Sequence, residues 1–207
     1  LKDFNQKMTV WTGNPVRFDL FFNDENKAFE FFQFSPDIPV ILVLGGGQGA
    51  AFINEIIFNS LGKLVQFCQI IHSTGRGKMQ AEAVHSRYRG MEFLKPHEMK
   101  MAYAASDLVI SRAGMATLTE LSYLDKPTIL IPIPNSHQEE NAYEFGKFNA
   151  CEIMHQKQVN PENFIDAIQS ILYDSDRLHS LQRNIGKVIP KDATQKVVHE
   201  IMKIIKL

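Results

Sequence analysis

Residues 40–44, Val-Ile-Leu-Val-Leu, form a run without a polar side chain. A strand alternates its side chains between two faces, so a run that is apolar throughout must be buried on both. A parallel sheet covered by helices on each side meets that condition. The rest of the chain repeats the pattern. Short apolar segments near 64–71, 89–94, 107–111, 127–132 and 151–154 read as further strands. Helical patterns near 50–61, 79–87, 96–105, 114–125 and 138–148 separate them, and two or three more helices fill 160–206. The expected fold is α/β: a Rossmann-like open parallel sheet of about six strands with helices on both faces. Ligands of such sheets bind beyond the carboxyl ends of the strands.

Two glycine-bearing turns lie at that edge. The first, Gly45-Gly46-Gly47-Gln48-Gly49, joins the strand at 40–44 to a helix from about Ala50. Consecutive glycines are costly unless the backbone needs a left-handed turn or must let a ligand come close. Gly45, Gly47 and Ala50 match the dinucleotide spacing G-x-G-x-x-G/A. The acid that would hold an adenosine ribose after the second strand is missing, because that segment runs into His72-Ser73-Thr74. No Lys-Ser/Thr pair follows the glycines, which excludes a P-loop. The turn reads as a phosphate-approach loop of another kind.

The second turn is the more informative. Ser111-Arg112-Ala113-Gly114-Met115-Ala116-Thr117-Leu118-Thr119-Glu120 passes from an apolar strand into a helix that opens on glycine and small residues. Such a start leaves backbone N–H groups bare and open to an anion. Glu120 follows on the face of Ala116 and Thr117, where a carboxylate can accept two ribose hydroxyls. Anion site and carboxylate together read as a nucleoside-diphosphate site. A third loop, after Leu130-Ile131-Pro132, reaches the same rim and carries His137, Gln138 and Asn141 at a helix start.

Bulk properties narrow the function further. The chain has 207 residues, 44% of them hydrophobic and 22% charged, with a formal net charge of −1. That is the profile of an ordinary globular domain, without the basic footprint of a nucleic-acid binder. Cys68 and Cys151 fall in apolar segments with no metal or redox spacing, and read as buried free thiols. The seven histidines show no ligand spacing, so neither a metal nor a cofactor is expected. No apolar run approaches the ~18 residues of a membrane span. The chain opens at Leu1 rather than Met, as a segment of a longer protein would.

Residues 1–39 differ from the rest. Met8 to Trp11 suggest a strand, Thr12 to Arg17 a turn, and Phe18, Phe21, Phe22, Phe29, Phe31, Phe32 and Phe34 a dense aromatic stretch interrupted by acids. Packing accounts for that stretch better than membrane contact, since no basic face accompanies it. An amphipathic helix closes the chain over 192–207.

Four segments, in order, resemble the C-terminal half of the MurG transferases, a family of two-domain GT-B glycosyltransferases within glycosyltransferase family 28. They are Thr12-Gly-Asn-Pro-Val-Arg17, Leu44-Gly-Gly-Gly-Gln-Gly-Ala50, Ser111 to Glu120, and His137-Gln-Glu-Glu-Asn-Ala142. The resemblance implies an inverting transferase in peptidoglycan biosynthesis. It would move N-acetylglucosamine from UDP-N-acetylglucosamine to a lipid-linked muramyl-pentapeptide at the cytoplasmic face of the cell membrane. Residues 40–207 would be its donor-binding domain, and residues 1–39 a linker and the trailing part of an absent N-terminal domain. Arg17 would approach the donor phosphates, Gly47 the nucleotide sugar and the Leu94 backbone the uracil. Met115, Ala116, Thr117, Leu118 and Thr119 would cradle the pyrophosphate, Glu120 would bind ribose, and Gln138 with Asn141 would face the sugar. The family often has serine where this chain has Gly47. The catalytic base is not assigned to any residue here. Two other readings stay open: a non-catalytic UDP-sugar-binding subunit of a split transferase, and a related diacylglycerol glycosyltransferase. Trp11 and the phenylalanines must fold back onto the domain or meet another chain, so self-association through residues 1–39 is a further expectation.

Overall fold

The computed structural model describes residues 8–17, 20–21, 24–45, 50–80 and 84–205. Six parallel strands form one sheet in the order β3-β2-β1-β4-β5-β6, with β1 at Val40–Leu44, β2 at Gln69–Ser73, β3 at Tyr88–Met91, β4 at Leu108–Ser111, β5 at Thr128–Leu130 and β6 at Glu152–Ile153. The chain starts in the middle and winds outward in both directions, so the order reverses between β1 and β4. That is the topological switch point at which open α/β sheets bind ligands. The register brings the strand ends level: Leu44 pairs with both Ser73 and Ser111, and Ser111 with Leu130.

The fully apolar β1 divides its side chains as expected. Val40, Leu42 and Leu44 join one core, beneath helices α1 (Glu25–Phe32), α3 (Pro96–Ala105), α4 (Met115–Tyr123) and α5 (His137–Gly146). Ile41 and Val43 join the other, beneath α2 (Ala51–Leu64), α6 (Pro161–Leu172) and α7 (Ser175–Ile185). The chain closes with α8 (Ala193–Ile205).

Several sequence expectations shift. The second strand is Gln69–Ser73 rather than 64–71, because α2 continues to Leu64 to bury Ile53, Ile56, Ile57 and Leu64 along one face. His72 therefore lies inside the strand. No helix is described over 79–87: residues 78–80 and 84–87 are irregular. Residues 81–83 of that segment lie outside the described residues; Gly75 and Gly77 before it turn the backbone at positive φ, and Met79 and Val84 stay 53% and 85% exposed. Residues 9–11 form no strand. Within the aromatic stretch, α1 forms instead. Asp24 accepts a hydrogen bond from Lys27 N–H at its start, and Gln33 ends it in the left-handed region. Phe32 and Phe34 are buried by it, Phe21 and Phe31 remain 45% exposed, and Phe18, Phe22 and residues 46–49 lie outside the described residues. Cys68 and Cys151 are free and buried, and burial pushes both thiols up to about 12.

Candidate nucleotide-sugar site

At the switch point, the end of β4 turns through Ala113 into α4. The residue before the helix, Gly114, has extended backbone and offers no side-chain cap. The first helical bond is Leu118 N–H to Gly114 C=O at 3.0 Å, so the N–H groups of Met115, Ala116 and Thr117 precede the helix's own acceptors. They carry the positive end of the helix dipole at the rim. A Cβ on Gly114 would meet no atom within 4 Å, which shows how open the approach is.

Two depressions that share wall residues flank this helix start. An open cleft of about 740 Å³ is lined by Gly45, Ala50, Phe52, Arg112, Gly114 and Gln138. A smaller pocket of about 150 Å³ is lined by Ser73, Phe93, Leu94, Met99, Tyr103 and Glu120. Leu44 and Thr117 belong to both, so the bare helix start stands between them. That arrangement suits an extended ligand with an anionic centre. One end would lie in the cleft and the other, a flat base and its sugar, in the pocket. Phe93, 63% exposed, offers an aromatic face at the pocket mouth.

Glu120 sits at the pocket wall with its carboxylate held from two sides. The Tyr103 hydroxyl donates to Oε2 at 2.8 Å, and Arg17 Nε lies 3.9 Å from Oε1. Burial first, and then the neighbouring Glu120 charge, holds the Tyr103 phenol well above its usual range, so it stays a donor. Arg17 reaches this position because Asn14 Nδ2 donates to Thr119 Oγ1 at 2.9 Å, tying the segment before it to α4.

The remaining expected residues divide between lining and support. Gln138 lines the cleft, with Oε1 accepting from Ile133 N–H at 3.3 Å. Ser136 caps α5 by accepting from Gln138 N–H at 3.2 Å. Leu94 is 2% exposed and backs the pocket, so only its backbone is placed to meet a ligand. Leu118 and Thr119 do not reach the cleft. The Leu118 side chain is wholly buried, and Thr119 donates its hydroxyl to Met115 C=O at 2.7 Å. Asn141 is likewise a strut, donating to Ala113 C=O at 3.0 Å. Arg112 braces the rim from within, with Nη1 donating to Ile131 C=O at 2.8 Å. His137 is exposed at the start of α5 and does not line the cleft. Gly47 lies outside the described residues. The sequence assigns no role to Tyr103 or Phe93, and gives Asn14 only as part of the Thr12–Arg17 segment. Tyr103 lies 17 positions from the carboxylate it touches, a separation that no local motif encodes. Among the described residues no group of three or more His, Cys, Asp or Glu could hold a metal ion.

Comparison with known proteins agrees with this geometry. Residues 40–197 match the model of the glycosyltransferase family 28 C-terminal domain. The UDP-N-acetylglucosamine–N-acetylmuramyl-(pentapeptide) pyrophosphoryl-undecaprenol N-acetylglucosamine transferase of Parabacteroides distasonis is 37% identical over 99% of the chain. Its counterpart from Christiangramia forsetii is 35% identical over 98%. The chain spans only 58% and 57% of these relatives' own lengths. Acinetobacter baumannii MurG, as a crystal structure, superposes with a TM-score of 0.69 at 25% identity, covering 85% of this chain and 53% of that one. On the family match and on relatives of this similarity, the chain belongs to glycosyltransferase family 28, and residues 40–197 are its C-terminal domain.

Proposed function

We propose that this chain is the donor-binding half of an inverting transferase. The enzyme would move N-acetylglucosamine from UDP-N-acetylglucosamine to a lipid-linked muramyl-pentapeptide in peptidoglycan biosynthesis. The observation that carries the reading is the uncapped start of α4 at the switch point, with Glu120 in the adjoining pocket. The helix terminus and Arg17 supply positive potential for a departing diphosphate, the task of a divalent ion elsewhere, so the reading includes no metal or cofactor. The names of the relatives support the donor and the acceptor. The acceptor site and the general base are assigned to the part of the longer relatives that precedes this chain, with residues 1–39 as linker and trailing segment. The same reading includes action at the cytoplasmic face of the membrane, the lipid of the acceptor holding it at the surface. Among the described residues no helix is long and apolar enough to cross a membrane.

Titration calorimetry tests the reading. The 207-residue chain should bind UDP and UDP-N-acetylglucosamine and should not bind NAD. NAD binding, or no heat with a uridine nucleotide at millimolar concentration, contradicts it. Because an inverting displacement needs a positioned base, this chain alone should transfer no sugar to a lipid-linked acceptor. Steady turnover by the purified chain would show that the donor half is self-sufficient.

A further inference from the structure

Glu120 can hold a ribose only if its carboxylate presents the right lone pairs to the pocket. Rotation about the last torsion of a glutamate is broad and nearly two-fold, so a free carboxylate samples many planes. Here one oxygen is taken from behind. The Tyr103 hydroxyl donates to Oε2 at 2.8 Å from a ring that is 2% exposed and buried in the core on the inner side of α3. Arg17 Nε, at 3.9 Å from Oε1 on a side chain that is 48% exposed, is a looser partner on the open side. The two residues come from successive helices, α3 and α4, each anchored to the central strands, so their separation is set by the fold. Tyr103 and Glu120 also line the same pocket.

We propose that Tyr103 is a positioning residue that sets the plane of the Glu120 carboxylate, and that the pair thereby selects a ribonucleoside diphosphate over its deoxy counterparts. This rests on the reading of the site as a uridine-diphosphate site. An ionised carboxylate offers about four acceptor positions. With the rear position on Oε2 filled, the forward ones face a vicinal diol together, and the ordering cost of binding is met before the ligand arrives. A 2′,3′-dideoxy ligand gives the carboxylate nothing to accept, so the benefit of the fixed plane disappears with the hydroxyls.

The test is the ratio of two dissociation constants, for UDP and for 2′,3′-dideoxy-UDP, measured by calorimetry on the 207-residue chain. The unsubstituted chain should prefer UDP by about tenfold or more, the weight of hydrogen bonds to a charged group. Glu120→Ala should abolish the preference. Tyr103→Phe removes one oxygen from a ring that stays packed, so the melting temperature should hold within a few degrees. Its affinity for UDP should fall about three- to tenfold, the size of one hydrogen bond, while its affinity for the dideoxy ligand is unchanged. If Tyr103→Phe keeps the full preference, or weakens both ligands in parallel, the positioning role is overturned although the site reading stands. If the unsubstituted chain shows no preference, or Glu120→Ala keeps it, the ribose role of Glu120 is wrong and the proposal goes with it.

Discussion

Glu120 and His72 show how two polar side chains near one rim take opposite parts. Glu120 keeps 23% of its side chain exposed and stays available to a ligand, whereas His72 is wholly buried. The Tyr88 hydroxyl lies 2.9 Å from Nδ1 and Asn54 Oδ1 lies 3.0 Å from Nε2, while Asn54 Nδ2 donates to Thr74 C=O at 2.7 Å. The imidazole is fully used in its neutral form, and burial drives its pKa down to about 3. An unfolded chain binds that proton near pH 6.5. The neutral ring therefore adds stability that is complete above pH 6.5 and is lost towards pH 3, at about 1.4 kcal/mol per pH unit. Urea unfolding at stepped pH should show this slope, and His72→Gln should flatten it by one proton; an identical slope in the variant would deny the burial of this group. For Glu120→Ala, a loss of about 1–3 kcal/mol in UDP affinity is expected by calorimetry, and an unchanged dissociation constant would move the ribose contact elsewhere. Glu120 was legible in sequence because its helix start is a local pattern. His72 was not, since its partners lie 16 and 18 positions away and are joined to it only by the sheet.

The elements that position the site were the most legible part of the chain. Apolar β1 and the β4–α4 turn required a covered parallel sheet with ligand-facing strand ends, and both stand at the switch point. Elements that depend on tertiary burial were harder to read. Helix α1 was hidden by its phenylalanines, although Asp24 is an ordinary N-cap. In the 79–87 pattern the described apolar residues Met79 and Val84 stay exposed, 53% and 85%, and pack on no core. Helix α4 offers a sharper test of purpose. Gly114→Asp would place a capping carboxylate in open space, at a backbone φ of −76° that any residue accepts. It should leave the melting temperature unchanged or raise stability by a few tenths of a kcal/mol, as caps and helix-dipole charges do. The same carboxylate would stand where a diphosphate is expected, so UDP affinity should drop at least tenfold. A variant that gained stability and still bound UDP fully would mean that the bare helix start is not the anion site.

On the scale of the whole molecule, apolar side chains stay exposed at Trp11 and along α8, none of them among the residues that line the cleft. Gly13, at a φ of +79°, brings residues 13–16 against Pro190 and Ala193, beside the start of α8. From there Trp11 stands 57% exposed, and Val198, Ile201, Ile204 and Ile205 are 53%, 49%, 71% and 70% exposed. Covering a large apolar side chain is worth about 1.5–3 kcal/mol, so the isolated chain should self-associate at micromolar concentration. Ile201→Glu with Ile204→Glu should return it to a monomer in sedimentation. A strict monomer before substitution would show that the face needs no partner. The central claim, that the bare start of α4 receives the diphosphate, is tested most directly by amide hydrogen exchange with and without UDP. The first-turn amides of Met115, Ala116 and Thr117 have no helical acceptors and should exchange fast in the free chain. UDP should slow these three, with smaller effects near Leu94 and Glu120. Protection that falls instead around Asp125 and Lys126, which line a separate pocket of about 360 Å³ beside the end of α4, or no change at Met115 to Thr117 under saturating UDP, would contradict the account.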